Sequence, residues 1–73
     1  MSVEVTKIER IRNPRGEYWM RFTGAVDGVR VRDTLEMPIA NYDALGHAAA
    51  LEKIKKQFEG LQRWFHEQDT ATD

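Results

Sequence analysis

Two turn signatures frame one short stretch of this chain and constrain its fold more than any other feature. Asn13-Pro14-Arg15-Gly16 joins a residue with fixed φ to one that accepts positive φ. Val26-Asp27-Gly28 carries the Asp-Gly pair that a tight hairpin turn requires. Between them, over residues 17–25, Tyr18, Met20 and Phe22 alternate with Trp19, Arg21 and Thr23. A period of two with an apolar and a polar set predicts a strand that has one face buried and one face in water.

The flanks extend this into a meander. Residues 3–12 predict a first strand in which Val3 and Val5 share a parity with Ile11 while Ile8 has the other, so a bulge between Thr6 and Glu9 is expected. Residues 29–37 predict a third strand, with Val29, Val31 and Leu35 on one face, Arg30, Arg32 and Thr34 on the other, and Pro38 ending it. From Asn41, a candidate N-cap, the pattern becomes helical. Ala44, His47, Leu51, Ile54, Phe58, Leu61 and Phe65 form one stripe, and Gly60 marks a candidate kink or end. The expected helix covers about residues 42–67, with a polar tail over 69–73. An apolar sheet face must be covered, and this helix is the only cover. The predicted fold is therefore α+β: a three-stranded antiparallel β-meander packed on one long C-terminal α-helix, a single domain over residues 1–73. Its core is expected to join Tyr18, Met20, Phe22, Val29, Val31 and Leu35 to Leu45, Ala48 or Ala49, Leu51, Ile54 and Phe58.

Composition narrows the function. The 73 residues contain no cysteine, which excludes disulfides, thiolate metal sites and cysteine nucleophiles. The only serine is Ser2, so no serine triad is expected. His47 and His66 lie too far apart to suggest a metal site alone. No catalytic, metal or cofactor site is expected, nor a small-molecule substrate, and the chain reads as non-enzymatic. It has no long apolar run, and residues 1–5 lack a signal peptide's charged and apolar regions; no membrane partner and a cytoplasmic location are expected. A chain this short buries only about 60% of its unfolded surface, so a partner or a homodimer is a further expectation.

Eleven basic and twelve acidic residues give a net charge of −1, which argues against a general polyanion binder. The distribution matters more than the sum. Through Glu36 there are seven basic and six acidic residues; beyond it there are four and six. The predicted register collects arginine, threonine and one tryptophan on the open sheet face. Guanidinium forks suit phosphates and guanine edges, and a β-ribbon fits the major groove.

The run from Ile11 to Phe22, the segment Gly28-Val29-Arg30-Val31-Arg32 and the Ala-rich helix start resemble the β-β-β-α DNA-binding domains of tyrosine-recombinase integrases (the arm-site-binding domain) and of plant ethylene-response factors. That resemblance implies a sheet face laid in the major groove. Carried over by position, it implies Arg12, Arg15, Trp19, Arg21, Arg30 and Arg32 as the residues meeting double-stranded DNA. The expected role is a small accessory or regulatory module of phage or mobile-element type. The alternative is a protein-binding module, such as a phage-encoded inhibitor of a host defence or transcription complex. For it, Arg63, Trp64 and Phe65 are the interface candidates, because aromatic residues and arginine at an exposed helix end are the material of interface hot spots.

Overall fold

A computed structural model of the protein describes residues 2–71. The order is β1 (Val3–Arg12), β2 (Tyr18–Val26), β3 (Val29–Arg30), β4 (Leu35–Pro38), α1 (Ile39–Leu45) and α2 (His47–Ala71). The sheet is antiparallel with β2 in the middle; β1 pairs with one edge of β2, and β3 and β4 share the other. The α+β class and the order of sheet then C-terminal helix are those the sequence predicts.

Both turns form as their residues dictate. Asn13 Oδ1 accepts from the backbone N–H groups of Arg15 and Glu17 at 3.0 and 2.9 Å, and Gly16 takes φ 84°. Asp27 and Gly28 take φ 51° and 81°, the two positive values of a tight hairpin turn. The Asp27 carboxylate also accepts from the Ser2 N–H at 2.7 Å, fastening the start of β1 to this turn.

The two outer strands each depart from the ladder at the same height of β2. On β1 the register shifts between Val5, opposite Gly24, and Lys7, opposite Thr23, leaving Thr6 as the extra residue. This is the expected bulge, and it puts Val3, Val5 and Ile8 on the helix side. On the other edge Val31 donates to the Gly24 carbonyl at 2.9 Å, and pairing resumes only at Leu35, opposite Phe22. The single third strand expected over 29–37 is thus two short strands around an irregular segment. That insertion adds two residues, so Val31, Leu35 and Met37 all remain on the helix side.

The core joins Phe22, Val26, Val31 and Met37 of the sheet side to Ala50, Ile54 and Phe58 of α2. Burial of each large apolar side chain contributes roughly 1.5–3 kcal/mol. Phe58 lies directly on Gly24: a Cβ there would stand 2.6 Å from the ring. Three expected core residues are instead exposed. Tyr18 lies beyond the helix, Val29 at the end of the hairpin, and Leu45 at the end of α1. Ala50, not Ala48 or Ala49, faces the sheet.

The helix differs from expectation at its start. It begins two residues before Asn41, directly after Pro38 (ψ 142°), with no side-chain cap. Packing sets this start: Tyr42 is carried onto Phe22, with ring centroids 6.4 Å apart. The helix then breaks at Gly46, whose φ 87° and ψ 155° suit glycine almost alone. The Gly46 N–H closes α1 on the Tyr42 carbonyl, and its own carbonyl accepts from Ala50 to start α2. The Tyr42 hydroxyl and His47 Nδ1 hydrogen-bond across the joint. Gly60 neither kinks nor ends α2, which runs on to Ala71. The polar tail expected over 69–73 is therefore helical as far as Ala71; residues 72 and 73 lie outside the described residues.

Candidate nucleic-acid interface

Cross-strand pairing decides which side chains share a face. On the open face the rows run Ile11–Trp19–Pro38, then Glu9–Arg21–Glu36, then Lys7 beside Thr23, then Glu4–Ala25–Arg30. The first row is apolar with an indole at its centre. In the second, Arg21 stands between two carboxylates, 4.0 Å from Glu36, and in the next Lys7 lies 3.7 Å from Glu9. The open face therefore holds three basic and three acidic side chains on its strands, and two of the bases are ion-paired.

Two expected members are absent from that face. The Thr6 bulge shifts the phase of β1, so Arg12 pairs with Tyr18 and lies on the helix side of the sheet. Arg32 falls in the interruption between β3 and β4 and turns the same way. Its guanidinium pairs with Asp69 and stands 5.3 Å from the Phe65 ring centroid. Arg32 therefore braces the far part of α2 against the sheet edge. Trp19, Arg21 and Arg30 do share the open face, and Arg15 projects from the turn at its end.

The same phase shift creates a cluster that sequence pattern alone did not identify. Arg10 and Arg12 both lie on the helix side, past the reach of the helix, next to Tyr18. Their guanidinium carbons are 4.3 and 5.8 Å from the Tyr18 ring centroid. Tyr18 is 44% exposed. Such stacking holds a guanidinium over an aromatic ring while leaving its edge donors free. Among the described residues, no carboxylate forms an ion pair with Arg10, Arg12, Arg15 or Arg30. Arg10, Arg12 and Arg15 thus gather at one end of the β1–β2 hairpin as unneutralised cations. The signal available in sequence was the conflict between Ile8 and its neighbours, because placing the bulge at Thr6 moves Arg10 and Arg12 together.

At the other end of the molecule, Arg63 pairs with Glu59 at 3.3 Å, one helical turn away. Trp64 is 52% exposed, and Phe65 is half-buried with its ring at an edge angle to Trp64, 5.2 Å away. Trp64 therefore stands outside the core. Among the described residues there is no group of three or more metal-ligating side chains, and no helix is long and apolar enough to cross a membrane. No family model, curated protein or solved structure matches the chain.

Proposed function

We propose that this protein is a small, non-enzymatic module of the cytoplasm that docks on double-stranded DNA through the end of its β1–β2 hairpin. The observation that carries this reading is the set of unpaired guanidiniums of Arg10, Arg12 and Arg15, two of them stacked on the exposed Tyr18 ring. Three cations within one hairpin end give a strong local field although the whole chain is nearly neutral. A two-stranded ribbon has the width of the major groove, and arginine forks suit both phosphate oxygens and guanine edges. Trp19, on the opposite side of the same hairpin, supplies a flat surface for sugar or base contact. The resemblance to β-β-β-α DNA-binding domains supports the same class of role. The docking surface differs from the one that resemblance implies, because Arg12 and Arg32 leave the sheet face.

Fluorescence anisotropy with a short duplex at several salt concentrations tests this. Each phosphate contact contributes about −0.9 to the slope of log K against log salt. Arg10→Ala with Arg12→Ala should flatten the slope by nearly two such contributions and weaken binding across sequences, while Arg32→Ala leaves both unchanged. A wild type that shows no salt-sensitive binding at low ionic strength refutes the reading.

A second reading, docking on a protein, is favoured by one observation: Trp64 presents half its surface to water beside Phe65. It requires a partner captured independently of nucleic acid and lost with Trp64→Ala. A partner recovered only through DNA refutes it.

A further inference from the structure

The open face carries a shallow trough of about 620 Å³, and both ladder irregularities fall on its walls. The Thr6 bulge forms one side, and the interruption that contains Thr34 forms the other, with Thr23 of β2 between them. Thr6 is occupied in part, because its hydroxyl donates to the Thr23 carbonyl at 3.3 Å. The hydroxyls of Thr23 and Thr34 have no bonded partner among the described residues. Bulges tend to occur where a strand must re-aim side chains, often beside a binding site.

The charges around the trough have one sign in excess. Lys7, Arg21 and Arg30 line it with one carboxylate, Glu9. Lys7 lies 3.7 Å from Glu9 and Arg21 4.0 Å from Glu36 just outside the lining, both long, exposed pairs that leave donors for a further acceptor. Arg30 has no ion-pair partner among the described residues. Arg21 Nε is buried and lacks a hydrogen-bond acceptor, one of two such side-chain atoms among the described residues. The other, Trp19 Nε1, stands two residues away on the same face of β2. Buried N–H groups nearly always find an acceptor, so Arg21 Nε, on a side chain that lines the recess and is 40% exposed, marks a place for one.

The geometry points to an oxyanion-binding site in this trough, for a phosphoryl group held by Arg21, Arg30 and Lys7 with the Thr23 and Thr34 hydroxyls. A carboxylate offers only two acceptor oxygens to this donor set; a phosphoryl group offers three or more. The Arg fork also fits two of those oxygens at once. The volume falls within the range of small-molecule sites, about 300–1,000 Å³, in a recess that stays open to solvent on one side. This site lies across the sheet from the arginines of the hairpin end, and it does not rest on the hairpin reading. The same chemistry has two sources, a phosphodiester of a nucleic acid or a small phosphorylated ligand.

Nuclear magnetic resonance of the full ¹⁵N-labelled chain tests it, because the Arg21 Nε–H and Trp19 Nε1–H signals are directly observed. Sodium phosphate and pyrophosphate are titrated against sodium chloride of matched ionic strength. Saturable movement of Arg21 Nε–H with the Thr23 and Thr34 amides is expected with phosphate and not with chloride. Arg30→Ala should raise the apparent Kd at least five-fold, and Thr34→Val should raise it with the rest of the spectrum unchanged. Arg10→Ala with Arg12→Ala should leave the titration as it is, which separates this site from the hairpin end. A short duplex that moves the same signals identifies a phosphodiester as the source; phosphate alone moving them identifies a small phosphorylated ligand. No saturable movement beyond that of chloride overturns the site, as does movement centred on Arg10 and Arg12.

Discussion

Two glycines in this chain should respond to the same substitution with opposite signs. A methyl group at Gly24 would meet Phe58 Cδ2 at 2.6 Å and Cε2 at 2.7 Å. Ordinary carbon contacts begin near 3.5 Å, so the ring must retreat by roughly 1 Å. It has nowhere to go: Phe58 is fully buried and packs in one cluster with Ile54, Phe22 and Val26. Overpacking of this kind costs about 1–3 kcal/mol. The smaller loss of chain entropy for alanine offsets about 0.4–1 kcal/mol of that. A domain of this length has roughly 4–11 kcal/mol in total. Because the ring has no room to retreat, the net cost of Gly24→Ala is about 1–2 kcal/mol, which lowers Tm by about 4–16 °C at about 4–8 °C per kcal/mol. Gly60 lies exposed inside α2, and a Cβ added there would meet nothing within 4 Å. Alanine there should stabilise by about 0.5–1 kcal/mol, the ordinary glycine penalty of a helix interior. Urea unfolding followed by circular dichroism measures both, and an unchanged m-value assigns the change to stability. Combining Gly24→Ala with Phe58→Leu should cost less than the two singles together, with a coupling of about 0.5–3 kcal/mol. A Gly24→Ala protein with a midpoint at or above wild type, or additive behaviour in the double variant, refutes the account of the core.

Three further outcomes follow from particular contacts. Asn13→Ala removes the acceptor of two backbone N–H groups at the hairpin turn; a loss of about 1 kcal/mol is expected in urea unfolding, given the exposure of the turn. Arg32→Ala removes an exposed pair with Asp69 and the cover over Phe65; a loss of about 1 kcal/mol or less is expected, with DNA affinity unchanged in the anisotropy assay. Gly46→Ala forces a side chain into a backbone region that glycine dominates; calorimetry should show about 1–3 kcal/mol lost, although open space surrounds the position.

The parts of the fold that were legible in sequence are those fixed by short-range chemistry. Asn13-Pro14-Arg15-Gly16 and Asp27-Gly28 specify their turns through φ, and the alternation in β2 specifies its faces. The conflict of Ile8 with Val3 and Val5 revealed a bulge. What it did not reveal was the consequence for Arg12, whose face depends on that bulge lying before Ile8. The interruption between β3 and β4 left no trace, because inserting two residues preserves the alternation of Val31, Leu35 and Met37. Arg32 was misplaced for that reason. Gly46 read as a residue inside one helix, since a lone glycine carries no sign of the φ it will adopt. The approach of Phe58 to Gly24 is a tertiary contact between residues 34 positions apart, and neither residue announces it.

The Thr6 bulge has a bearing on solubility as well as on face assignment. Every sheet with free edges presents backbone donors and acceptors along which another chain can add. Here neither edge offers an uninterrupted rail: β1 is broken at Thr6 and the opposite edge between Val31 and Leu35, at the same level of β2. Deleting Thr6 would make Val5–Gly24 and Lys7–Thr23 consecutive pairs and exchange no side chain between faces. The result would be a straighter, continuous nine-residue edge with Ile8 partly exposed along it. Such a chain should fold as before and show more concentration-dependent association by light scattering than the wild type.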